Sequence, residues 1–255
     1  MTRVDRLGAP DADVRLAAIA ELTAAGAATP AEVAALAECT AHEKKVVQRR
    51  AAEALAAVGA PADALRARLA APAFRTRWGA AYALSVGAAP PAEVLPILLE
   101  AFGEDDGDVR WAAATILVRL VDVGTVVHAL RALAATGNVA QRKMALYCLR
   151  DLRGGPDASP GAVATVTGAL ADPAPPVRLA ALASLPAVAV DRAAAARAAL
   201  RLLDDPDAGV RRAAAAALGK LGTGAPEVRR ALDAAAAGED PALARAARRA
   251  REALR

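Results

Sequence analysis

One stretch of this sequence decides its fold: Asp207-Ala208-Gly209-Val210-Arg211-Arg212-Ala213-Ala214. Its apolar positions continue at helical intervals through Leu218, so the stretch predicts an amphipathic helix. The Asp stands four residues before the first Arg, a spacing that suits a helix N-cap, and Gly222 follows the last apolar turn, where a helix commonly ends. The stretch therefore reads as the start of one capped helix.

The same pattern recurs along the whole chain. A Val-Arg pair followed by an Ala-rich run stands at Val14-Arg15, Val109-Arg110 and Val177-Arg178, and weaker copies fill the gaps. The second position of the pattern falls at residues 15, 48, 77, 110, 142, 178 and 211, so the spacings are 33, 29, 33, 32, 36 and 33. This regular period predicts an internal repeat in which each copy is the second helix of a helix pair.

The segments between these copies predict the first helix of each pair. Many of them open with Pro, which is favoured in the first turn of a helix. They run over Pro30 to Glu38, Pro61 to Leu69, Pro91 to Phe102, Gly161 to Leu170 and Pro226 to Ala237. The composition agrees, because 56% of residues are hydrophobic and only 2% aromatic, with Ala dominant and strand-favouring residues scarce. We predict an all-α fold of seven or eight helix pairs in one continuous domain over residues 1–255.

The pattern of Asp, Val-Arg, Ala-Ala and a later Leu resembles HEAT repeats, and its short Ala-rich form is similar to the HEAT-like repeats of the phycobilisome-lyase type. The resemblance spans nearly the whole chain. It implies an armadillo-like superhelix, an α-solenoid whose second helices line a concave surface where partners bind. Proteins with such repeats include scaffolds, lyase subunits, glycosylases and hydroxylases, so the fold alone carries little functional weight.

The resemblance also implies a structural role for the repeated Arg. In HEAT proteins this Arg and an Asp at the start of the second helix form a ladder between neighbouring repeats. Asp or Asn stands four residues before the Arg at Asp11, Asp106, Asn138 and Asp207. We therefore expect the repeated Arg side chains to hold repeats together rather than bind a ligand: Arg15, Arg77, Arg110, Arg142, Arg178 and Arg211.

Two columns of residues on the second helices carry the functional prediction. The residue directly after the repeated Arg, and the residue four further on, should project outward from the helix. Both Trp and both Tyr residues of the chain fall in these columns, and three basic residues flank them. Aromatic side chains on one surface are typical of binding hot spots. The candidate binding strip comprises Arg49, Trp78, Tyr82, Trp111, Lys143, Tyr147 and Arg212. The alternative is that the rings fill core space left by Ala-rich neighbours.

Catalytic and metal-binding motifs are weak. His42-Glu43 is the only His-Glu dipeptide, whereas HEAT-repeat hydroxylases carry such motifs in pairs, so we predict no hydroxylase activity. The acidic run from Glu104 to Asp108 lacks the ligand spacing of a calcium loop and reads as a solvated helix cap. We predict no catalytic residues, no metal site and no cofactor.

Three functions remain open. The first is a non-enzymatic scaffold that binds a helix or extended peptide of another protein on the concave face of the second helices. The second is nucleic-acid binding or an alkylpurine DNA glycosylase-type activity, with Asp151 as a candidate carboxylate. The formal charge of +4 argues against it, because phosphate binding needs a strong basic footprint. The third is a bilin lyase or lyase-partner subunit, which rests on repeat similarity alone.

The compartment follows from composition. Charged residues interrupt every apolar run, so we expect no membrane span and no apolar leader. Cys39 and Cys148 are predicted to be buried, reduced thiols. A cytoplasmic protein is expected.

Overall fold

The computed structural model describes residues 1–86, 89–152 and 160–254. Within them the protein is all α-helical, as predicted, and contains no strand. The chain divides into two compact units, Met1–Asp122 and Val123–Arg255. The expectation of one continuous domain stays a prediction. None of the helices in the described residues is both long enough and apolar enough to span a bilayer.

The described residues of unit 1 form four helix pairs. A short 3-10 turn, Ala67–Ala70, follows α5, and another, Ala92–Val94, precedes α7. The helices are α1 (Arg3–Leu7), α2 (Ala12–Ala25), α3 (Pro30–Cys39), α4 (Lys45–Ala57), α5 (Asp63–Arg66), α6 (Phe74–Leu84), α7 (Leu95–Ala101) and α8 (Gly107–Leu117).

The described residues of unit 2 also form four pairs. Among them, 3-10 turns at Ala169–Ala171 and Arg201–Asp204 follow α11 and α13, respectively. The helices are α9 (Val123–Thr136), α10 (Val139–Asp151), α11 (Pro160–Gly168), α12 (Pro175–Val188), α13 (Arg192–Leu200), α14 (Ala208–Leu221), α15 (Pro226–Ala237) and α16 (Pro241–Ala253). The even-numbered helices are the predicted second helices, and the repeat of helix pairs is confirmed.

Each unit buries its own apolar core between first and second helices. In unit 1 the core is built around Ile19, Leu36 and Leu55, and in unit 2 around Leu182 and Leu218. The second helices of unit 2 pack side by side in chain order, α10 to α12 to α14 to α16. This stacking is the arrangement of an α-solenoid, in which each repeat covers the apolar face of the next.

The predicted caps form. Asp11, Asp106, Asn138 and Asp207 each accept a backbone N–H bond from the first turn of the helix that follows. Gly222 ends α14 with φ of +66°, a left-handed conformation that strains residues with a Cβ atom.

The repeated Arg ladder is confirmed for Arg77, Arg142, Arg178 and Arg211, but its carboxylate partners differ from those expected. Arg15 and Arg110 instead donate to backbone carbonyls of the preceding turn and pair with no carboxylate among the described residues. Arg142 pairs with Asp172 at 2.9 Å, Arg178 with Asp205 at 2.8 Å, and Arg211 with Asp240 at 3.0 Å. In the first two pairs the carboxylate lies six residues before the next Arg, not four. The N-cap Asp207 instead bonds the N–H of Val210 in its own helix.

The Arg residues also bind the turn before their own helix. Arg77, for example, donates to the carbonyl oxygens of Ala71 and Pro72, each at 2.7 Å, and to Glu100. The guanidinium satisfies carbonyls that no helix can pair and fixes the entry of the chain into the second helix.

Both thiols are buried and reduced, as predicted. Burial raises the pKa of Cys148 to about 12. The pKa of Cys39 is also raised by burial, although a weak bond from Arg15 opposes the shift. Neither thiol is poised to act as a nucleophile, because nucleophilic cysteines have lowered pKa values.

Candidate functional site

Trp78 is not on an open surface. Its side chain belongs to α6 and the residue is only 5% exposed, so the expectation that it projects outward is wrong. The indole lies 6.5 Å from the Phe74 ring, nearly parallel at 16°, and 5.9 Å from the Tyr82 ring at 45°. The spacing of four residues stacks these three rings along one side of the helix.

Residues of α4 and α8 line crevices beside the Trp78 side chain. Lys45, at the start of α4, bonds Asp106 at 2.8 Å and Asp108 at 2.7 Å at the start of α8. We call this ion pair the Lys45 bridge. It joins the second and fourth helix pairs, and Lys45 and Asp108 line one crevice with Trp78 of the third. Hydrogen bonds that Lys45 donates to the two carboxylates raise its pKa, and the bond from Lys45 outweighs partial burial to lower the pKa of Asp106.

Helix α6 also lies very close to the backbone at the end of α3. A Cβ atom added to Gly79 would lie 2.2 Å from the carbonyl oxygen of Thr40, at the end of α3. Such a contact is far inside van der Waals distance, so α6 can approach the preceding pair this closely only with Gly at this position. The residue after Trp78 therefore helps to set the depth of the ring.

A narrow crevice lies beside the Trp78 ring, between α4, α6 and α8. Its lining includes Arg49 from α4, Trp78 and Tyr82 from α6, and Ala112 from α8. The volume is about 30 Å³. This is room for one or two waters, whereas small-molecule sites usually hold at least about 300 Å³. The crevice is a surface feature and not a substrate pocket.

Trp111 and Arg49 do lie at the surface. Trp111, on α8, is 51% exposed, and Arg49, on α4, is exposed and has no ion-pair partner among the described residues. Tyr82 is half-buried and contributes to the crevice. Of the four strip residues in unit 1, three line the crevice, and Trp111 directly precedes Ala112, which lines it too.

The other three strip residues lie in unit 2. Arg212 is exposed on α14, and Lys143 is half-buried on α10. Tyr147 is half-buried, and the Arg150 guanidinium lies 5.1 Å from the centre of its ring. Arg150 also pairs with Asp151 at 2.6 Å, so the carboxylate considered for glycosylase-type chemistry already has a cationic partner.

The remaining candidate motifs have structural partners. The acidic run provides the N-cap of α8 through Asp106 and the carboxylates of the Lys45 bridge. His42 accepts the backbone N–H of Lys44 at its Nδ1 atom, 3.0 Å away. Across residues 1–86, 89–152 and 160–254, no cluster of three or more His, Cys, Asp or Glu side chains could hold a metal ion.

Sequence reasoning missed two features. The Lys45 bridge spans more than sixty positions between nonadjacent repeats, so the period gave no signal for it. The second is a continuation of the outward columns into α16. Adding the spacing of 33 to Arg212 gives Arg245, and the position four further on is Arg249. Both are exposed, and the period could have found them.

Comparisons with known proteins agree with the repeat. The family model for HEAT repeats matches residues 91–186 and 163–255. No curated protein matches the chain.

Solved structures similar to this chain include a designed armadillo repeat protein in complex with the peptide (KR)4, at 16% identity over 99% of this chain and 98% of that one, with a TM-score of 0.34. Human deoxyhypusine hydroxylase in complex with glycerol is 18% identical over 99% of this chain and 94% of that one, with a TM-score of 0.40.

Proposed function

Because this chain belongs to the HEAT-repeat family, we propose that it is a non-enzymatic scaffold that binds a helix or extended peptide of another protein. The proposed contact surface is the exposed face of α4 and α8 in unit 1, which we call the Trp111 face. Its members are Val46, Arg49, Trp111 and Thr115, all of which are exposed. The observation that carries the proposal is the exposure of Trp111.

A half-exposed Trp ring keeps apolar surface in contact with water, and burying that surface in an interface is favourable. Trp and Tyr dominate binding hot spots because they bury a large apolar area and lose little side-chain entropy. Val46, 49% exposed next to Lys45 on α4, adds a second apolar side chain to this face. The exposed cation Arg49 supplies a polar group at the rim, where interfaces are usually polar.

The sequence predicted that Trp78 contacts the partner directly. In this proposal Trp78 instead supports the contact surface from below. The buried Trp78 ring and the half-buried Tyr82 ring form the floor of the crevice, and the half-buried Phe74 ring packs against Trp78. The Lys45 bridge holds α4 and α8 on either side of that floor. A preordered face loses less entropy when a partner docks, so this rigidity favours binding.

The test uses peptides selected from a random display library on the wild-type protein, whose dissociation constants are then measured by titration calorimetry. Trp111→Ala is expected to weaken binding about 30-fold, the effect of removing a hot-spot side chain. Val121→Ala is the matched control, because Val121 is an apolar residue of unit 1 that is 82% exposed and lies outside the helices.

The control should bind as the wild type does. Selected peptides that bind the Trp111→Ala variant with unchanged affinity would contradict the proposal.

A further inference from the structure

A second exposed face lies on unit 2 and has a different character. Arg212 and Lys220 project from α14, and Arg245 and Arg249 project from α16. We call these four residues the basic face. Helices α14 and α16 pack against one another, so the four cations occupy adjacent helices of one continuous surface.

These cations differ from the other Arg residues of the same helices. Arg211 is tied to Asp240, and Arg251 to Asp233 at 2.5 Å. None of the four cations of the basic face has a hydrogen-bond or ion-pair partner among the residues that the structure describes. Glu252 is exposed on α16 and offsets part of the positive charge. The basic face thus has a surplus of uncompensated cations that intramolecular pairing does not explain.

The neighbouring helices of the same stack present apolar side chains. Leu179 and Ala183 occupy the equivalent columns of α12, and Lys143 and Tyr147 occupy those of α10. Leu179, Lys143 and Tyr147 are half-buried, and Ala183 is exposed. These columns are therefore apolar on α12, hold one cation beside an aromatic ring on α10, and continue into the basic face on α14 and α16.

We infer that the basic face binds an acidic, extended segment of a partner protein, whose apolar side chains continue onto α12 and α10. The cations of the basic face would contact the acidic residues of this segment. The apolar side chains on α12 and the Tyr147 ring on α10 favour a peptide over a nucleic acid. A nucleic acid strand presents phosphates along its whole length and needs cations along the whole path.

The geometry also sets the spacing of the acidic residues. Packed helices lie about 8–10 Å apart, and an extended chain advances about 3.3 Å per residue. A peptide that crosses the helices therefore moves from one to the next in about three residues. Acidic side chains at every third position would meet α14 and α16 in turn.

The test is fluorescence anisotropy with a labelled peptide of about twelve residues, long enough to cross four helices, in which Leu-Ser-Glu is repeated. Two comparison probes are the same peptide with Gln in place of Glu and a thymidine oligonucleotide of equal length. The protein is the full chain, measured at low and at physiological ionic strength because contacts between exposed charges are screened by salt.

The test variant combines Arg212→Gln, Arg245→Gln and Arg249→Gln. The matched control combines Arg197→Gln, Arg201→Gln and Arg230→Gln, three exposed cations of the first helices and their turns in the same unit. Both variants lose the same net charge. We expect the test variant to bind the Glu peptide about tenfold more weakly, from three surface charge contacts, and the control to bind within about twofold of wild type.

Three results would overturn the inference. The first is equal binding of the Gln and Glu peptides, and the second is equal weakening in the control variant. The third is tighter binding of the oligonucleotide than of the Glu peptide, together with weaker oligonucleotide binding by the test variant. That result would assign the face to nucleic acid. Trp111→Ala lies in unit 1 and should leave binding of the Glu peptide unchanged, so this inference and the proposed function fail separately.

Discussion

Arg178 and Asp205 form a two-pronged ion pair that joins consecutive repeats of unit 2. The Nε atom of Arg178 donates to one carboxylate oxygen and the Nη2 atom to the other, both at 2.8 Å. The Nη1 atom donates to the backbone oxygens of Asp172 and Pro173 in the turn before α12. One side chain thus orients its own helix and links it to the next repeat, which is why the sequence repeats an Arg at this position.

Removing this Arg should strongly destabilise the protein. Arg178 is 9% exposed and Asp205 is 7% exposed, so Arg178→Ala leaves a buried carboxylate without its cation. The expected loss is about 3 kcal/mol of unfolding free energy, measured by urea denaturation. The exposed pair Arg50 and Glu53 is the comparison, and Arg50→Ala should cost less than about 1 kcal/mol. Equal losses in the two variants would show that burial of the pair is unimportant.

Stability should fall in acid because the ladder carboxylates are stabilised in their charged form. Burial pushes the pKa of Asp205 upward, but the bonds from Arg178 and from the Asp207 N–H outweigh it, so the pKa lies below its ordinary value. The pKa of Asp172 is lowered in the same way, by bonds from Arg142 that outweigh burial.

A lowered folded-state pKa contributes stability above the unfolded pKa, and this contribution is lost as pH falls through the folded value. The urea midpoint should therefore decrease below about pH 4. Asp205→Asn should show a shallower decrease, because it lacks one of the titrating groups. A midpoint with the same pH dependence in wild type and variant would refute the assignment.

Two glycines should respond oppositely to Ala. Gly79→Ala would place a methyl group against the Thr40 carbonyl, so we expect a loss of about 1–3 kcal/mol from overpacking. Gly168, near the end of α11, has a helical φ of −62° and no atom within 4 Å of an added Cβ. Gly168→Ala should therefore stabilise the protein by about 0.5–1 kcal/mol. Thermal or urea denaturation of both variants measures these shifts, and destabilisation of equal size would contradict the packing described for α6.

Replacing the two Trp residues by Ala should change the free energy of unfolding by different amounts. Trp78→Ala removes a buried ring and should cost about 3–5 kcal/mol. Trp111→Ala removes a half-exposed ring and should change the unfolding free energy by less than about 1 kcal/mol. Equal costs would mean that the Trp111 ring is as much a core element as Trp78.

The sequence was sufficient to predict the repeat, because the apolar period recurs in the helix pairs and several second helices add a capping Asp or a terminal Gly. It was also sufficient for the structural role of the repeated Arg. It assigned the wrong carboxylate, however, since Oδ1 of Asp207 accepts the N–H of Val210 in its own helix, whereas Asp205 pairs with Arg178.

The burial of Trp78 could not be predicted from the period. Trp78 and Trp111 occupy the same repeat position, yet the first is buried and the second half-exposed. Trp78 lies beside the Lys45 bridge and next to the close backbone approach at Gly79, and these are contacts of particular residues rather than properties of the repeat.

The central claim is that the Trp111 face binds a partner peptide. The chain has only two Trp residues, so protein labelled with ¹⁵N gives two indole N–H resonances, which Trp111→Phe assigns. The claim predicts that a library-selected peptide shifts the Trp111 resonance, and shifts it more than that of Trp78. A Trp111 resonance that stays in place when the protein is saturated with peptide would contradict it.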